Sequence, residues 1–186
     1  ICGSFDHMLL TDPDAVFEAP GATTYVCQTL VEDGRLALHE FEIFLRELRR
    51  FASTGEQSLI IKLHPRSDPD LYSGLTSLPN VTVERRLPLS PRYIGHYSGL
   101  LSTCYREDTA VVLVEFPDHP IPPYFEALAA NVIPAERNLR MDLFDRDHNV
   151  PGVDPAYYYE STEDPYGAIA ERVVGAVNQE RKARQP

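Results

Sequence analysis

The sequence predicts an α/β fold built on a doubly wound, Rossmann-like parallel sheet. Short runs rich in β-branched and apolar residues alternate along the chain with amphipathic segments, which is typical of this class. At 186 residues, 43% of them hydrophobic, the chain has the size of one ordinary domain. We therefore predict a single Rossmann-like domain over residues 1–186.

The first half of the chain gives the clearest pattern. Residues 24–30 (TYVCQTL) are predicted to form a buried strand, and residues 58–63 (SLIIKL) a second strand that stops before Pro65. Between them, apolar residues recur at three- and four-residue spacing from Leu38 to Phe51, which predicts an amphipathic helix.

Shorter elements are predicted further on. Residues 71–78 are predicted as a short helix or turn and residues 81–83 as a third strand. Residues 91–97 are predicted to begin a helix, with Ser90 as the N-cap and Pro91 at the first helical position.

The last part of the chain is predicted to complete the alternation. We expect a strand that runs into a turn at residues 99–103, the clearest strand of the chain at 110–116 (AVVLVEF), and a short helix at 123–130. Residues 145–164 are predicted to be a loop, and a closing helix begins at Pro165.

Charge and cysteine content limit the function. Arg and Lys number 17 against 28 Asp and Glu, a net charge of −11, which disfavours generic nucleic-acid binding. No run of 18 apolar residues is present, so no transmembrane segment is predicted. Three cysteines without a C-x-x-C pair indicate a reducing, cytoplasmic compartment and no zinc site. Ile1 at the start suggests a fragment of a longer protein.

Ligands of parallel α/β sheets bind at the carboxyl ends of the strands, and the first candidate motif follows the first strand. Glu32 and Asp33 are paired carboxylates, and their repulsion together with partial burial is expected to raise one pKa toward neutrality, as a general base requires. Gly34 would allow a substrate to come close. The alternative is an ordinary helix-capping turn.

Two further motifs are predicted to follow strands. Lys62, His64 and Arg66 offer a cation, an imidazole donor and a guanidinium around the rigid Pro65, a set that suits a phosphate. The alternative is a surface histidine in a strand-to-loop turn. The third motif, at residues 102–103, has hydroxyls that can cradle a phosphate, although Ser-Thr pairs are also common in ordinary turns.

The order of these motifs resembles the bacterial sialyltransferases of GT-B fold, including the lipooligosaccharide sialyltransferase and polysialyltransferase groups. Those families have a D/E-D/E-G motif, an HP motif and a later Ser/Thr pair, which correspond here to residues 32–34, 64–65 and 102–103. The stretch YVCQTLVEDG, followed by a helix and LIIKLHPR, is especially similar. The resemblance covers roughly residues 20–130.

The resemblance implies an inverting, metal-independent transfer from a CMP-activated sugar to a glycan acceptor, with no cofactor. Asp33 would be the base that deprotonates the acceptor, and His64 would bind the CMP phosphate and assist its departure. Lys62 and Pro65 would lie near the cytidine. The residues implied in substrate binding are Glu32, Gly34, Lys62, Pro65, Arg66, Ser90, Ser102 and Thr103.

Two departures from the family keep alternatives open. Ser90 stands where relatives often have an acidic residue proposed to bind the ribose. A GT-B enzyme has two Rossmann-like domains, so this chain corresponds to its C-terminal, donor-binding half. The alternatives are a CDP-glycerol-type or KDO-type polymer transferase, or a non-catalytic nucleotide-binding domain. Peripheral association with the inner membrane face and a homodimer are also left open.

Overall fold

The computed structural model describes residues 12–55, 57–104, 109–126, 129–145 and 174. The strands are β1 (Val16–Glu18), β2 (Ala22–Val26), β3 (Ser58–Lys62), β4 (Val81–Glu84), β5 (Leu87–Leu89), β6 (Arg92–Gly95), β7 (Ala110–Glu115) and β8 (Asn131–Pro134). The α-helices are α1 (Leu38–Ser53), α2 (Ser73–Thr76), α3 (Gly99–Cys104) and α4 (Pro123–Glu126). Single 3-10 turns occupy Pro69–Tyr72 and Met141–Phe144.

The main sheet has six strands, all parallel, in the order β4-β3-β2-β6-β7-β8. The chain therefore starts in the middle, moves outward through β3 and β4, and returns to the other side of β2. This is the doubly wound, Rossmann-like order, which confirms the predicted α/β class. The order reverses between β2 and β6, the point at which such sheets bind ligands.

The register brings the carboxyl ends of the central strands to one level. Val26 at the end of β2 pairs with Lys62 of β3 on one side and with Gly95 of β6 on the other. The segments that follow these three strands therefore leave the sheet side by side. β1 and β5 form a separate parallel pair.

Both faces of the sheet are covered, which explains the nearly continuous burial of its strands. Side chains of one face join α1 in a core that includes Tyr25, Phe44, Ile61, Ile94 and Val112. The other face packs against α3 and α4 in a second core that includes Val26, Tyr93, Leu101, Leu113 and Phe125.

Helix α1 confirms its prediction. Its apolar stripe is buried, with Phe44 1% and Leu48 0% exposed. The Glu40 carboxylate accepts a hydrogen bond from the backbone N–H of Ala37 at 3.3 Å and stabilises the first turn. The helix ends before Gly55, whose φ of 73° favours glycine.

Two predicted elements are wrong. Residues 91–97 do not begin a helix but contain strand β6, because Tyr93 and Ile94 are 1% and 0% exposed in the sheet. Residues 99–103 are not a strand but part of helix α3, since the Ser98 hydroxyl accepts from the Leu101 N–H at 3.2 Å and caps the first turn.

The remaining predictions hold in part. The short helix expected at 71–78 is confirmed as α2 with its preceding 3-10 turn, and the expected helix at 123–130 is α4. The strand expected at 24–30 is β2, which ends at Val26. Of the loop predicted at residues 145–164 only Asp145 is described, and of the predicted closing helix only Val174, which is helical. Within the described part of the chain, no helix is both long and apolar enough to cross a membrane.

Candidate ligand-binding cleft

A cleft of about 850 Å³ opens at the carboxyl ends of β2, β3 and β6, where the strand order reverses. Its walls come from residues that follow each of these strands: Cys27, Gln28 and Thr29 after β2, residues 63–66 after β3, and residues 97–100 after β6. The position is the one expected for the ligand of a doubly wound sheet.

Five of the predicted site residues line this cleft together: Asp33, Lys62, His64, Pro65 and Arg66. The first two sequence motifs therefore meet in space although 29 or more residues separate them along the chain. Other predicted residues do not line it, namely Glu32, Gly34, Ser90 and Ser102. The side chain of Thr103 lies outside the described part of the structure.

The Asp33 carboxylate is clasped by Arg66. The guanidinium donates to Oδ1 at 2.6 Å and to Oδ2 at 3.1 Å, a two-pronged ion pair between the segments after β2 and β3. Thr29 donates from its hydroxyl to Oδ2 at 2.8 Å and accepts from Arg66 at 3.1 Å. We call these three side chains, Thr29, Asp33 and Arg66, the clasp.

The expectation of a raised carboxylate pKa is wrong for Asp33 in this arrangement. The hydrogen bonds from Arg66 and then Thr29 stabilise the ionised form and lower the pKa of Asp33. Glu32 faces a different partner, because its carboxylate accepts from the backbone N–H of Asp68 at 2.9 Å. The two carboxylates thus have separate hydrogen-bond partners.

The turn that presents Asp33 is held from several sides. The Asp33 N–H donates to the Thr29 carbonyl at 2.9 Å, and Gly34 has a φ of 67° that favours glycine. The ring Nε2 of His119 donates to the Arg35 carbonyl at 2.6 Å, which ties the end of the turn to the segment after β7. Gly34 therefore shapes the turn rather than contacting the cleft.

His64 points a donor toward the cleft. Its Nδ1 accepts a hydrogen bond from the backbone N–H of Arg66 at 3.1 Å, so the neutral ring has its proton on Nε2. Burial, followed by the charges of Arg66 and Lys62, lowers the pKa of His64. The ring is consequently neutral near pH 7 and offers Nε2–H to an anionic ligand.

Lys62 supplies a buried cation at the end of β3. It is 8% exposed, and its ammonium donates to the Leu63 carbonyl at 2.7 Å. Burial lowers the pKa of Lys62. Among the described residues no carboxylate forms an ion pair with it, so its charge is available to a ligand.

The sequence interpretation missed two further cations, Arg35 and Arg85. Arg85 directly follows β4, so the rule that selected the other strand ends would have found it. Together with Lys62 and Arg66 these residues give the described lining four cationic side chains and a single carboxylate, Asp33, in a chain of net charge −11. The cleft is therefore an attractive site for an anion.

The opposite wall of the cleft is apolar. We call it the aromatic wall, and it is formed by Leu87, Tyr97, Leu100 and Phe125. The rings of Tyr97 and Phe125 are tilted by 53° with centroids 5.6 Å apart. The side-chain amide of Gln28 donates to the Tyr97 carbonyl and fixes this segment relative to β2.

The third motif and Ser90 lie apart from the cations. The Ser102 hydroxyl donates to the Gly99 carbonyl at 2.6 Å within α3, whereas Ser98 and Gly99, just before it, line the cleft. The buried Ser90 hydroxyl lies 2.7 Å from that of Thr24 and precedes β6, at the amino end of the sheet. The structure does not bring Ser90 to the predicted ribose position.

Cys27 forms part of the floor of the cleft and is 3% exposed. Burial raises the pKa of its thiol to about 12, which excludes a thiolate nucleophile at neutral pH. Cys27 and Cys104 are both buried thiols. Among the described residues, no group of three His, Cys, Asp or Glu side chains is arranged to hold a metal ion.

Comparisons with protein-family models, with curated proteins and with solved structures each returned no match. The class of protein is therefore defined by the fold and the site: a Rossmann-like α/β chain with an anion-attracting cleft at the reversal of its strand order.

Proposed function

We propose that this chain binds the nucleotide part of a CMP-activated sugar in the cleft, as the donor-binding part of an inverting, metal-independent, sialyltransferase-like glycosyltransferase. The observation that supports the proposal most is the convergence of Lys62, His64, Arg66 and Asp33 on one cleft at the sheet's switch point. This combination places anion donors beside a carboxylate, as transfer from an anionic leaving group requires.

The cationic wall suits the phosphate. CMP leaves the sugar as an anion, so donors aimed at its phosphate stabilise the transition state more than the ground state. His64 offers Nε2–H in its neutral form, and Lys62 offers an ammonium at the same strand end that forms no ion pair with the described residues. In this proposal His64 and Lys62 bind the phosphate, so Lys62 takes a different place from the cytidine-side position that the resemblance implies. Pro65 fixes the direction of the chain between His64 and Arg66.

The aromatic wall suits the nucleoside. Ligand pockets of about 300–1,000 Å³ are usual for molecules of this size, and the cleft of about 850 Å³ falls within that range. With the cytosine of CMP placed against Tyr97, the phosphate of the nucleotide would face the cations across the cleft. An apolar wall opposite a cationic wall is the complement of a nucleotide, whereas an inorganic anion alone would need only the cations.

Asp33 remains the proposed base. Its carboxylate lines the same cleft as His64 and is 30% exposed, so an acceptor hydroxyl can reach it. The Ser98–Gly99 segment takes the place proposed for the Ser-Thr pair, because these residues rather than Ser102 line the cleft.

A CDP-activated donor of the CDP-glycerol type is the second candidate. Arg35 and Arg85 extend the cationic lining beyond Lys62 and Arg66. In this candidate they would bind the second phosphate. A comparison of CMP with CDP separates the two candidates.

Thermal unfolding of the full chain with CMP, CDP, UMP and UDP tests the proposal. A ligand at 100 times its dissociation constant adds about 2.7 kcal/mol to the free energy of unfolding, which is readily measured. We expect the largest stabilisation from CMP, and a largest effect of CDP would favour the second candidate. Arg46→Gln, which removes an exposed cation of α1 outside the cleft, should retain the stabilisation. The absence of stabilisation by every nucleotide would contradict the proposal.

A further inference from the structure

The Asp33 carboxylate, which the proposed function uses as a base, is engaged by Arg66 in the clasp. A general base needs a free carboxylate, yet Arg66 covers both oxygens of Asp33, at 2.6 and 3.1 Å. The same arginine lines the cleft that the anionic donor would enter. One guanidinium therefore faces two possible partners, the carboxylate of the chain and the phosphate of the ligand.

We infer that Arg66 is a positioning residue that leaves Asp33 for the anionic group of the bound ligand, so that arrival of the donor frees the carboxylate. The inference rests on the proposed function, since it requires an anion in the cleft. It adds an order of events, because the base becomes available only after the donor's phosphate is in place.

Exposure of the clasp makes the exchange possible. The side chains of Arg66 and Asp33 are 63% and 30% exposed, and ion pairs at such exposure stabilise a fold little. The phosphodiester of a CMP-sugar is an anion like the carboxylate and also accepts two parallel hydrogen bonds from a guanidinium, and free CMP and pyrophosphate have more negative charge than a carboxylate. A phosphate in the cleft can therefore compete with Asp33 for Arg66.

The backbone around Arg66 does not need to move. Its N–H stays bonded to Nδ1 of His64 at 3.1 Å, so a rotation of the Arg66 side chain leaves the donor tautomer of His64 unchanged. Thr29 retains its hydrogen bond to Oδ2 of Asp33 at 2.8 Å. The carboxylate is thus released from the guanidinium but keeps its position.

The charges around Asp33 determine how its pKa responds. Arg66 is the largest cause of its lowered pKa, and Arg35 contributes in the same direction. His64 faces the carboxylate from the segment after β3; burial, Arg66 and Lys62 lower its pKa, and Asp33 and Glu32 only partly oppose that shift. Withdrawal of Arg66 removes the main cause and shifts the pKa of Asp33 upward, which makes the carboxylate a stronger base.

Titration of the Asp33 side-chain carbon by NMR, in the full chain, tests the inference. We expect the pKa of Asp33 to rise when CMP or inorganic pyrophosphate is added, and the side-chain nitrogen signals of Arg66 to shift. A nearby phosphate also repels a proton-free carboxylate directly, so Arg66→Gln is the necessary comparison. In that variant the pKa should be raised already without ligand and should rise less on ligand addition.

The outcomes separate this inference from the proposed function. An equal rise in Arg66→Gln and in the unmodified chain would overturn the exchange, as would bound CMP that leaves the pKa of Asp33 unchanged. A further outcome is that CMP fails to bind while pyrophosphate produces the Arg66-dependent rise in the pKa of Asp33. That result would support the exchange of Arg66 between Asp33 and the ligand, and it would contradict the proposed specificity for CMP. If neither ligand binds, both are wrong. Arg46→Gln, which removes an exposed cation of α1 outside the cleft, should leave the Arg66-dependent rise in the pKa of Asp33 unchanged.

Discussion

The two walls of the cleft differ in how they are built. The cationic wall comes from chain segments that directly follow strands, so Lys62 and His64 are placed by the register of the sheet itself. The aromatic wall is assembled from β5, from α4 and from the segment between β6 and α3, as Leu87, Phe125 and Tyr97 show. The first wall depends on strand ends and the second on tertiary packing, so each can be removed without the other.

Removal of Lys62 should have the largest effect. A hydrogen bond from a charged group contributes about 1.5–3 kcal/mol, so Lys62→Met should weaken CMP binding roughly 10- to 100-fold. Isothermal titration calorimetry measures the change, with Lys62→Arg as the variant that retains charge. Unchanged affinity in Lys62→Met would place the phosphate away from the end of β3.

Removal of the Tyr97 ring tests the aromatic wall separately from the cationic wall, because it should affect only ligands that have a nucleobase. An aromatic contact is worth about 0.5–1.5 kcal/mol beyond the burial of area, so Tyr97→Ala should weaken CMP binding roughly 3- to 10-fold. Binding of pyrophosphate should stay the same, and Tyr97→Phe should retain the affinity for CMP. Equal losses for CMP and pyrophosphate would mean that the two walls do not act separately.

The turn that presents Asp33 is expected to tolerate little change at Gly34. An alanine there would meet no neighbour within 4 Å, but the φ of 67° is strained for any residue with a Cβ. Gly34→Ala should therefore lower the free energy of unfolding by about 1 kcal/mol. Gly21→Ala is the matched control, since its Cβ also meets nothing within 4 Å and its φ is not positive. Equal stability of the two variants would contradict the strained turn.

The pH dependence of stability should distinguish His96, whose ring centroid lies 4.5 Å from that of Tyr97, from His64 of the cationic wall, and it should be the smallest of the four effects. Burial lowers the pKa of His96, which is 3% exposed, below its ordinary value of 6.5. The unfolded chain therefore binds protons first as the pH falls below about 6.5, so the folded state loses stability from there down to the folded pKa. His64 contributes in the same direction from the cationic wall.

Thermal unfolding between about pH 7 and about pH 5 measures this dependence. Asp33 has a lowered pKa and loses its contribution only below its ordinary value of 3.8, so it does not titrate in that range. His96→Gln should flatten the curve more than His64→Gln, because the His96 ring is the more deeply buried. An opposite ranking, or stability that rises on acidification, would contradict these assignments.

The sequence predicted the parts of the fold that have long, regular patterns. The apolar stripe of α1 was visible because apolar residues recur every three or four positions over sixteen residues. β3 and β7 were visible as continuous apolar runs. β1, β5 and β8 were not predicted, since each has only three or four residues and none is a run of β-branched side chains like residues 81–83 of β4. β6 was predicted as the start of a helix, because Ser90 followed by Pro91 is typical of a helix N-terminus.

The candidate site was predictable where chemistry follows a strand directly. Lys62, His64 and Arg66 met this condition, and the structure brings them together with Asp33. The clasp was not predictable, because no pattern shows that Arg66 reaches a carboxylate 33 residues earlier in the chain. The aromatic wall was missed for the same reason, since its residues share no spacing or motif.

A map of the amide signals that shift when CMP is added to the full chain shows where the nucleotide binds. We expect saturable shifts at the lining of the cleft, with residues 62–66 and 97–100 prominent. In Lys62→Met the same shifts should require roughly 10- to 100-fold more CMP, whereas Arg46→Gln should leave the concentration dependence unchanged. Shifts on another face of the sheet, or an unchanged concentration dependence in Lys62→Met, would contradict the claim that this cleft binds a nucleotide.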